Sequence, residues 1–265
     1  MANSSLQTNG LILKEMKVSE NDRLITVLTS DLGVIRAFSS GSLKMTSKGV
    51  SATAFLSYSR LTLYKSRGDT YRVNDAHTEK IFWELRQDFT LLSLASYFCE
   101  VCMYLAPKEE PAGEFLRLIL NCMHLLSLKD KSLISPAAVK AVFELRCCLY
   151  AGFMPDVTAC HGCGDTLYQN CRFDINGGVF YCEKCANNTD LPQNGAQSGI
   201  GIVKNVPSGT LAAMRHILYS PLEKCFGFKI SDNSAKALYD ICESFLQAQV
   251  GKSFDTLQFY KTYTL

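Results

Sequence analysis

The sequence predicts an α+β chain of several modules: an N-terminal five-stranded barrel, a helical bundle and a four-cysteine module inserted into the bundle. Three observations carry this. Short β-branched or alternating runs are confined to the first eighty residues, apolar residues then recur every three to four positions, and Cys160, Cys163, Cys182 and Cys185 interrupt that helical pattern. At 265 residues the chain exceeds the ~100–150 typical of one domain, so more than one module is expected.

The strands read in order as GLILKEMKV (10–18), DRLITVLTS (22–30), GVIRAFSSG (33–41), YSRLTLYKS (58–66) and TYRVND (70–75). Asp31-Leu32-Gly33 and Arg67-Gly68-Asp69 supply tight turns between neighbours. Five short strands with one long connection between the third and fourth fit a small, partly open barrel of the OB type over residues 1–78. Beyond it, Phe82, Leu85, Phe89, Leu92, Ser96, Cys99 and Met103 predict an amphipathic helix ending near Pro107, and Phe115 through Leu126 a second. A third starts with Ser135 as N-cap and Pro136 at the first helical position, and stops at Gly152. Together they make a first helical part over 79–157. The cysteine module spans 158–190, residues 187–201 read as a surface loop, and two further helices complete the bundle within 191–265, one of them capped by Ser231 or Asp232.

Cys160, Cys163, Cys182 and Cys185 form C-x2-C-x18-C-x2-C, the spacing of four-thiolate zinc ribbons, in which each x-x loop lets two sulfurs reach one tetrahedral ion. Four protein ligands leave no open coordination position, so the expected zinc is structural. His161 and Cys171 break the paired spacing and are read as non-ligands. Cys99, Cys102, Cys122, Cys147, Cys148, Cys225 and Cys242 fall inside apolar helical patterns and are expected as reduced core thiols.

Between Arg23 and Arg72 eight basic residues face two acidic ones, a local excess of six in a chain of net charge +2. A cationic barrel can follow a phosphate backbone while exposed aromatics stack bases. The candidate contacts are Arg23, Arg36, Lys44, Lys48, Arg60, Lys65, Arg67 and Arg72, with Tyr58, Tyr64 and Tyr71 as stacking partners. A catalytic reading finds little: His77-Thr78-Glu79 with a later Cys-x-x-Cys imitates a deaminase motif, but Ala159 rather than proline precedes Cys160. Phosphate-loop, dinucleotide, nucleophile-elbow and H-E-x-x-H motifs do not occur, so a non-enzyme is expected. The N-terminal MANSSLQTNG has no signal-peptide pattern and no run of about 18 apolar residues occurs, which predicts a cytoplasmic protein.

Three blocks resemble the RecO family. NDRLITVLTSDLGVIRAFSSGSLKMTS is similar to its N-terminal strands and basic loop, AVFELRCCLYAGFMPDVTACHGCG to its central helix running into the first cysteine knuckle, and LAAMRHILYSPLEKCFGFKIS to its late helix. The resemblance implies an OB-fold, a helical bundle and a zinc finger. It further implies a recombination mediator that binds single- and double-stranded DNA, anneals complementary strands and, with RecR, helps load RecA on DNA coated by single-strand-binding protein. Recognition of that protein's acidic, apolar-ended tail would need a hydrophobic pocket rimmed by cations, for which Lys140, Phe143 and Arg146 on the helix after Ser135 are candidates. The alternative is a zinc-ribbon interaction or redox-sensing protein with no nucleic-acid role.

Overall fold

The computed structural model describes residues 5–41, 49–65, 70–128, 130, 134–167, 169–188, 197–198 and 201–264. Packing divides the chain into two compact units, Met1–Lys129 with Phe254–Leu265, and Asp130–Ser253. Helices that read from sequence as one bundle are thus shared between the units.

The first unit starts with strands β1 (Ser5–Lys17), β2 (Arg23–Thr29) and β3 (Gly33–Ser39), a turn of helix α1 (Gly49–Ala52), and strands β4 (Ser57–Lys65) and β5 (Thr70–Ile81). They close into a barrel in the order β1-β2-β3-β5-β4, with β1 pairing back onto β4. The sequence predicts a partly open barrel; closure follows because β1 is long enough to serve two neighbours. Its Ser5–Leu11 stretch pairs with β4 and its Gly10–Lys17 stretch with β2. The strand changes partner at Gly10, where a β-carbon would lie 2.5 Å from Val27 Cγ1, so a side chain there would push the strands apart. Ile12, Ile25, Val27, Ile35, Ala37, Leu61, Leu63 and Tyr71 fill the interior.

Next come α2 (Trp83–Gln87), α3 (Phe89–Leu105) and α4 (Gly113–Ser127). The single helix expected from Phe82 to Met103 is broken at Asp88. Its carboxylate accepts the Leu91 N–H at 3.0 Å, capping α3 and ending α2. Pro107 follows one residue after the C-cap Ala106.

The second unit contains α5 (Pro136–Tyr150), β6 (Asp156–Cys160), β7 (Cys171–Asp174), β8 (Val179–Cys182), α6 (Glu183–Asn188), β9 (Gln197–Ser198), β10 (Gly201–Val206), α7 (Ser208–Tyr219) and α8 (Asp232–Val250). Ser135 caps α5 through the Ala138 N–H, with Pro136 at the first position, as expected; of the two candidates for α8, Ser231 is the cap. Five strands form one sheet in the order β6-β8-β7-β10-β9. Residues 187–201 read from sequence as loop; Gln197–Ser198 and Gly201 instead pair in this sheet, while 189–196 and 199–200 lie outside the described residues. Phe173 and Phe180 stack at 4.2 Å on the sheet, and Phe245 of α8 meets Phe173 at 5.4 Å. The last helix, α9 (Asp255–Thr264), packs on α3 in the first unit and has no counterpart in the sequence reading. The seven cysteines expected as core thiols are all buried. No helix among the described residues is long and apolar enough to cross a membrane.

Candidate metal centre and nucleic-acid interface

The four cysteines arrive from two knuckles. Cys160 ends β6, and the chain turns back through Gly164, whose φ of +76° few side chains tolerate and whose N–H donates to the Cys160 carbonyl at 2.8 Å. Cys182 ends β8 and Cys185 sits in α6 directly after it. The β7–β8 hairpin sets the separation, its turn closing with the Gly178 N–H on the Asp174 carbonyl at 2.9 Å. A β-carbon on Gly162 would lie 3.0 Å from the Cys185 sulfur, so the first knuckle can approach the second closely only as glycine.

The four sulfurs lie within 4.8 Å of one another, and Cys163 Sγ and Cys182 Sγ are 3.9 Å apart. A tetrahedral ion with ~2.3 Å metal–sulfur bonds requires sulfur separations of about 3.8 Å, so this donor set fits one ion. Burial raises the Cys160 thiol, but the backbone N–H groups of Cys182, Cys163 and Gly162 outweigh it and bring the group to about 6, close to the thiolate a metal needs. Among the described residues these four are the group able to hold a metal ion. Cys171 faces Cys182 across the β7–β8 ladder, but its sulfur is turned to the Val206 carbonyl and burial pushes it to about 12. His161 lies edge-on to the Tyr181 ring. Neither joins the cluster, in agreement with the paired spacing.

Barrel register sorts the eight candidate cations. Arg23 is buried at the barrel end, where it donates to the Glu15 carboxylate at 2.6 Å and to the Val50 carbonyl, so it does not face solvent as a phosphate contact must. Arg60 and Lys65 are exposed and ion-paired with Glu79 (2.7 Å) and Glu109 (3.5 Å). Arg36 and Arg72 are exposed, and no carboxylate of the described residues lies within ion-pair distance of either. Lys44, Lys48 and Arg67 lie outside the described residues. Tyr58 and Tyr64 are half-buried, whereas Tyr71 belongs to the barrel interior and is no stacking platform.

The register also brings together side chains that sequence alone does not group. Met16 pairs with Leu24, Leu24 with Phe38, Phe38 with Arg72 and Arg72 with Tyr64, one continuous row across four strand interfaces. Successive side chains of a strand alternate faces, and Ile25, Ala37, Tyr71 and Leu63, next to Leu24, Phe38, Arg72 and Tyr64, are barrel core, so the row points outward. Lys14, Thr26 and Arg36 form a parallel row beside it. Phe38 and Lys14 are not among the sequence candidates, although Phe38 stands two residues from Arg36 and therefore on the same face.

Lys140, Phe143 and Arg146 do not form a solvent-facing pocket. Phe143 is fully buried, and Lys140 and Arg146 are 6% and 5% exposed. Lys140 contacts the carboxylates of Glu144 and Glu243, each at 2.8 Å, and Arg146 donates to the Ser220 carbonyl. The expected cationic rim is consumed in packing α5 against its neighbours in the second unit.

A closed OB-type barrel with an outward cationic and aromatic row, carried together with helices and a four-cysteine module, defines a multidomain OB-fold protein with a candidate metal centre. The Recombination protein O N terminal family matches residues 1–82 and the Recombination protein O C terminal family residues 86–258. The chain belongs to the RecO family of DNA repair proteins. It is 29% identical over 257 residues to the DNA repair protein RecO of Acetivibrio thermocellus, covering 97% of this chain and 96% of that protein. It is 30% identical over 177 residues to that of Myxococcus xanthus, covering 67% and 71%, and 26% identical over 257 residues to that of Alkaliphilus metalliredigens, covering 97% and 98%.

Proposed function

We propose that this chain is a recombination mediator that binds DNA without reading sequence, anneals complementary single strands and works by binding rather than by catalysis. The observation that carries the reading is the outward row of Phe38, Arg72 and Tyr64 with Arg36 beside it. Guanidinium groups without a carboxylate partner are available to phosphates, and neighbouring aromatic rings offer stacking surface that any base can use. Arg60 and Lys65 can join, because an exposed ion pair is worth only ~0–1 kcal/mol and exchanges readily for a phosphate. Lys44, Lys48 and Arg67, outside the described residues, remain candidate contacts from the sequence alone.

The four-cysteine cluster holds a zinc ion in this reading. Four thiolates complete its coordination, so its contribution is to the folding of the second unit. RecR, RecA and single-strand-binding protein enter as partners through the resemblance to RecO, which together with the relatives named DNA repair protein RecO supports a role in repair. Annealing of two labelled complementary strands, followed by energy transfer, tests the proposal. The chain should accelerate pairing well above the spontaneous rate, and the Arg36→Glu/Arg72→Glu variant should lose most of that acceleration; annealing unchanged by the double variant would remove the barrel row from the mechanism.

A further inference from the structure

Beside the outward row lies a cleft of about 510 Å³ in the first unit, lined by Thr26, Val34, Arg36, Met103, Lys108 and Glu109 and by Ile35. Its volume is that of a small-ligand site. Its chemistry is two-sided. Val34 and half-buried Met103 give an apolar wall, while Arg36 and Lys108 are exposed cations with no carboxylate partner among the described residues. Glu109, the one acidic lining residue, is engaged with Lys65 at 3.5 Å.

The wall that carries Lys108 is fixed to the barrel. The Val34 N–H donates to the Pro107 carbonyl at 2.8 Å, the Ala112 N–H to the Ser30 carbonyl at 2.9 Å, and Gly33 bridges Lys108. Gly33 has φ +62°, and a β-carbon there would lie 2.1 Å from the Pro107 carbonyl oxygen. The loop can lie this close to the β2–β3 turn only because that residue is glycine.

Resting on the reading of the barrel as a strand-binding surface, we infer that this cleft receives one unstacked nucleotide of the bound strand, its base against Met103 and Val34 and its phosphate between Arg36 and Lys108. Arg36 belongs to both the cleft and the outer rows, so a strand following the rows reaches the cleft without leaving cationic surface. An apolar wall facing two cations matches a nucleotide, which carries a flat apolar face and an anion a few ångströms apart. The nucleotide then acts as a pin that holds the strand in one place on a surface otherwise tolerant of sliding.

The test uses the full chain with methyl-labelled methionine, the Met103 signal assigned through Met103→Leu. Addition of a thymidine oligonucleotide, and separately of thymidine monophosphate, should shift the Met103 methyl. Lys108→Glu should weaken the monophosphate by about tenfold or more, while Lys236→Glu, exposed on α8 of the second unit, should leave it within about twofold. Inorganic phosphate alone should leave the methyl in place. An oligonucleotide that binds the chain without moving Met103 overturns the cleft and leaves the strand surface standing. Absence of any oligonucleotide binding overturns both. A methyl that responds to an acidic peptide and not to the oligonucleotide assigns the cleft to a protein partner instead.

Discussion

Arg23 donates to the Glu15 carboxylate at 2.6 Å from a side chain that is 6% exposed, so the first cation of the basic N-terminal region is a component of the barrel end. Arg36, one strand further on, is exposed on the outer face. The two arginines should therefore respond oppositely to substitution. Arg23→Gln should lower the urea midpoint, at a cost of about 1–3 kcal/mol for removal of a charged hydrogen bond, and leave the salt dependence of DNA binding unchanged. Arg36→Glu should do the reverse. Chemical denaturation paired with DNA titration distinguishes them, and equal loss of DNA affinity in both would contradict the assignment.

Sequence reading does not separate these two residues, because both sit in similar β-branched stretches. Which cation is neutralised depends on register: Glu15 reaches Arg23 across the β1–β2 pair, while Glu79 and Glu109 come to Arg60 and Lys65 from 19 and 44 residues away. Tyr71 and Tyr64 illustrate the same limit. The two are alike in sequence, yet Tyr71 lies inside the barrel and Tyr64 is half-buried on its outer face. By contrast the four-cysteine cluster is legible, since C-x2-C spacing determines local geometry with little help from the rest of the fold. The Ser135-Pro136 helix start is equally local. β10 and α9 escape the sequence reading: both are short segments whose burial depends on neighbours brought from elsewhere, Val203 and Val206 against the β7 side of the sheet and Phe254 with Leu257 beside α3.

The metal centre makes a prediction that separates ligands from a neighbouring thiol. Cys163→Ser should lower bound zinc from about one equivalent toward zero and destabilise the second unit, because the metal's binding energy contributes to folding. Cys171→Ser should retain the metal, its sulfur being directed at the Val206 carbonyl. Affinity should fall as pH is lowered, since protons compete with zinc for the thiolates. Elemental analysis of the purified variants checks both arms; native protein without stoichiometric metal would contradict the centre.

Lys140 supplies a stability prediction for α5. Burial would depress its ammonium, but the carboxylates of Glu144 and Glu243 override burial and hold it above the usual lysine range. Lys140→Met removes the cation shared by two carboxylates, one of them fully buried, and should cost about 3–5 kcal/mol. Burial of Glu144 without that cation disfavours its ionised form in the folded variant. Stability of the variant relative to the parent should thus worsen as pH rises through the carboxylate range toward 7 and recover as pH falls toward 4. Urea midpoints at the two pH values measure this; a deficit independent of pH would contradict the coupling.

The central claim is that Arg36 and Arg72, on the outward rows of the barrel, neutralise DNA phosphates. Titration of one labelled single strand at several salt concentrations, for the parent chain and for Arg36→Gln/Arg72→Gln, tests it most directly. Removing one cation from a phosphate should reduce the slope of log K against log salt by about 0.7 on single strands, so the double variant should lie about 1.4 units flatter and bind more weakly at low salt, for unrelated sequences alike. A slope and a low-salt affinity equal to those of the parent would contradict the claim and move DNA binding off this face.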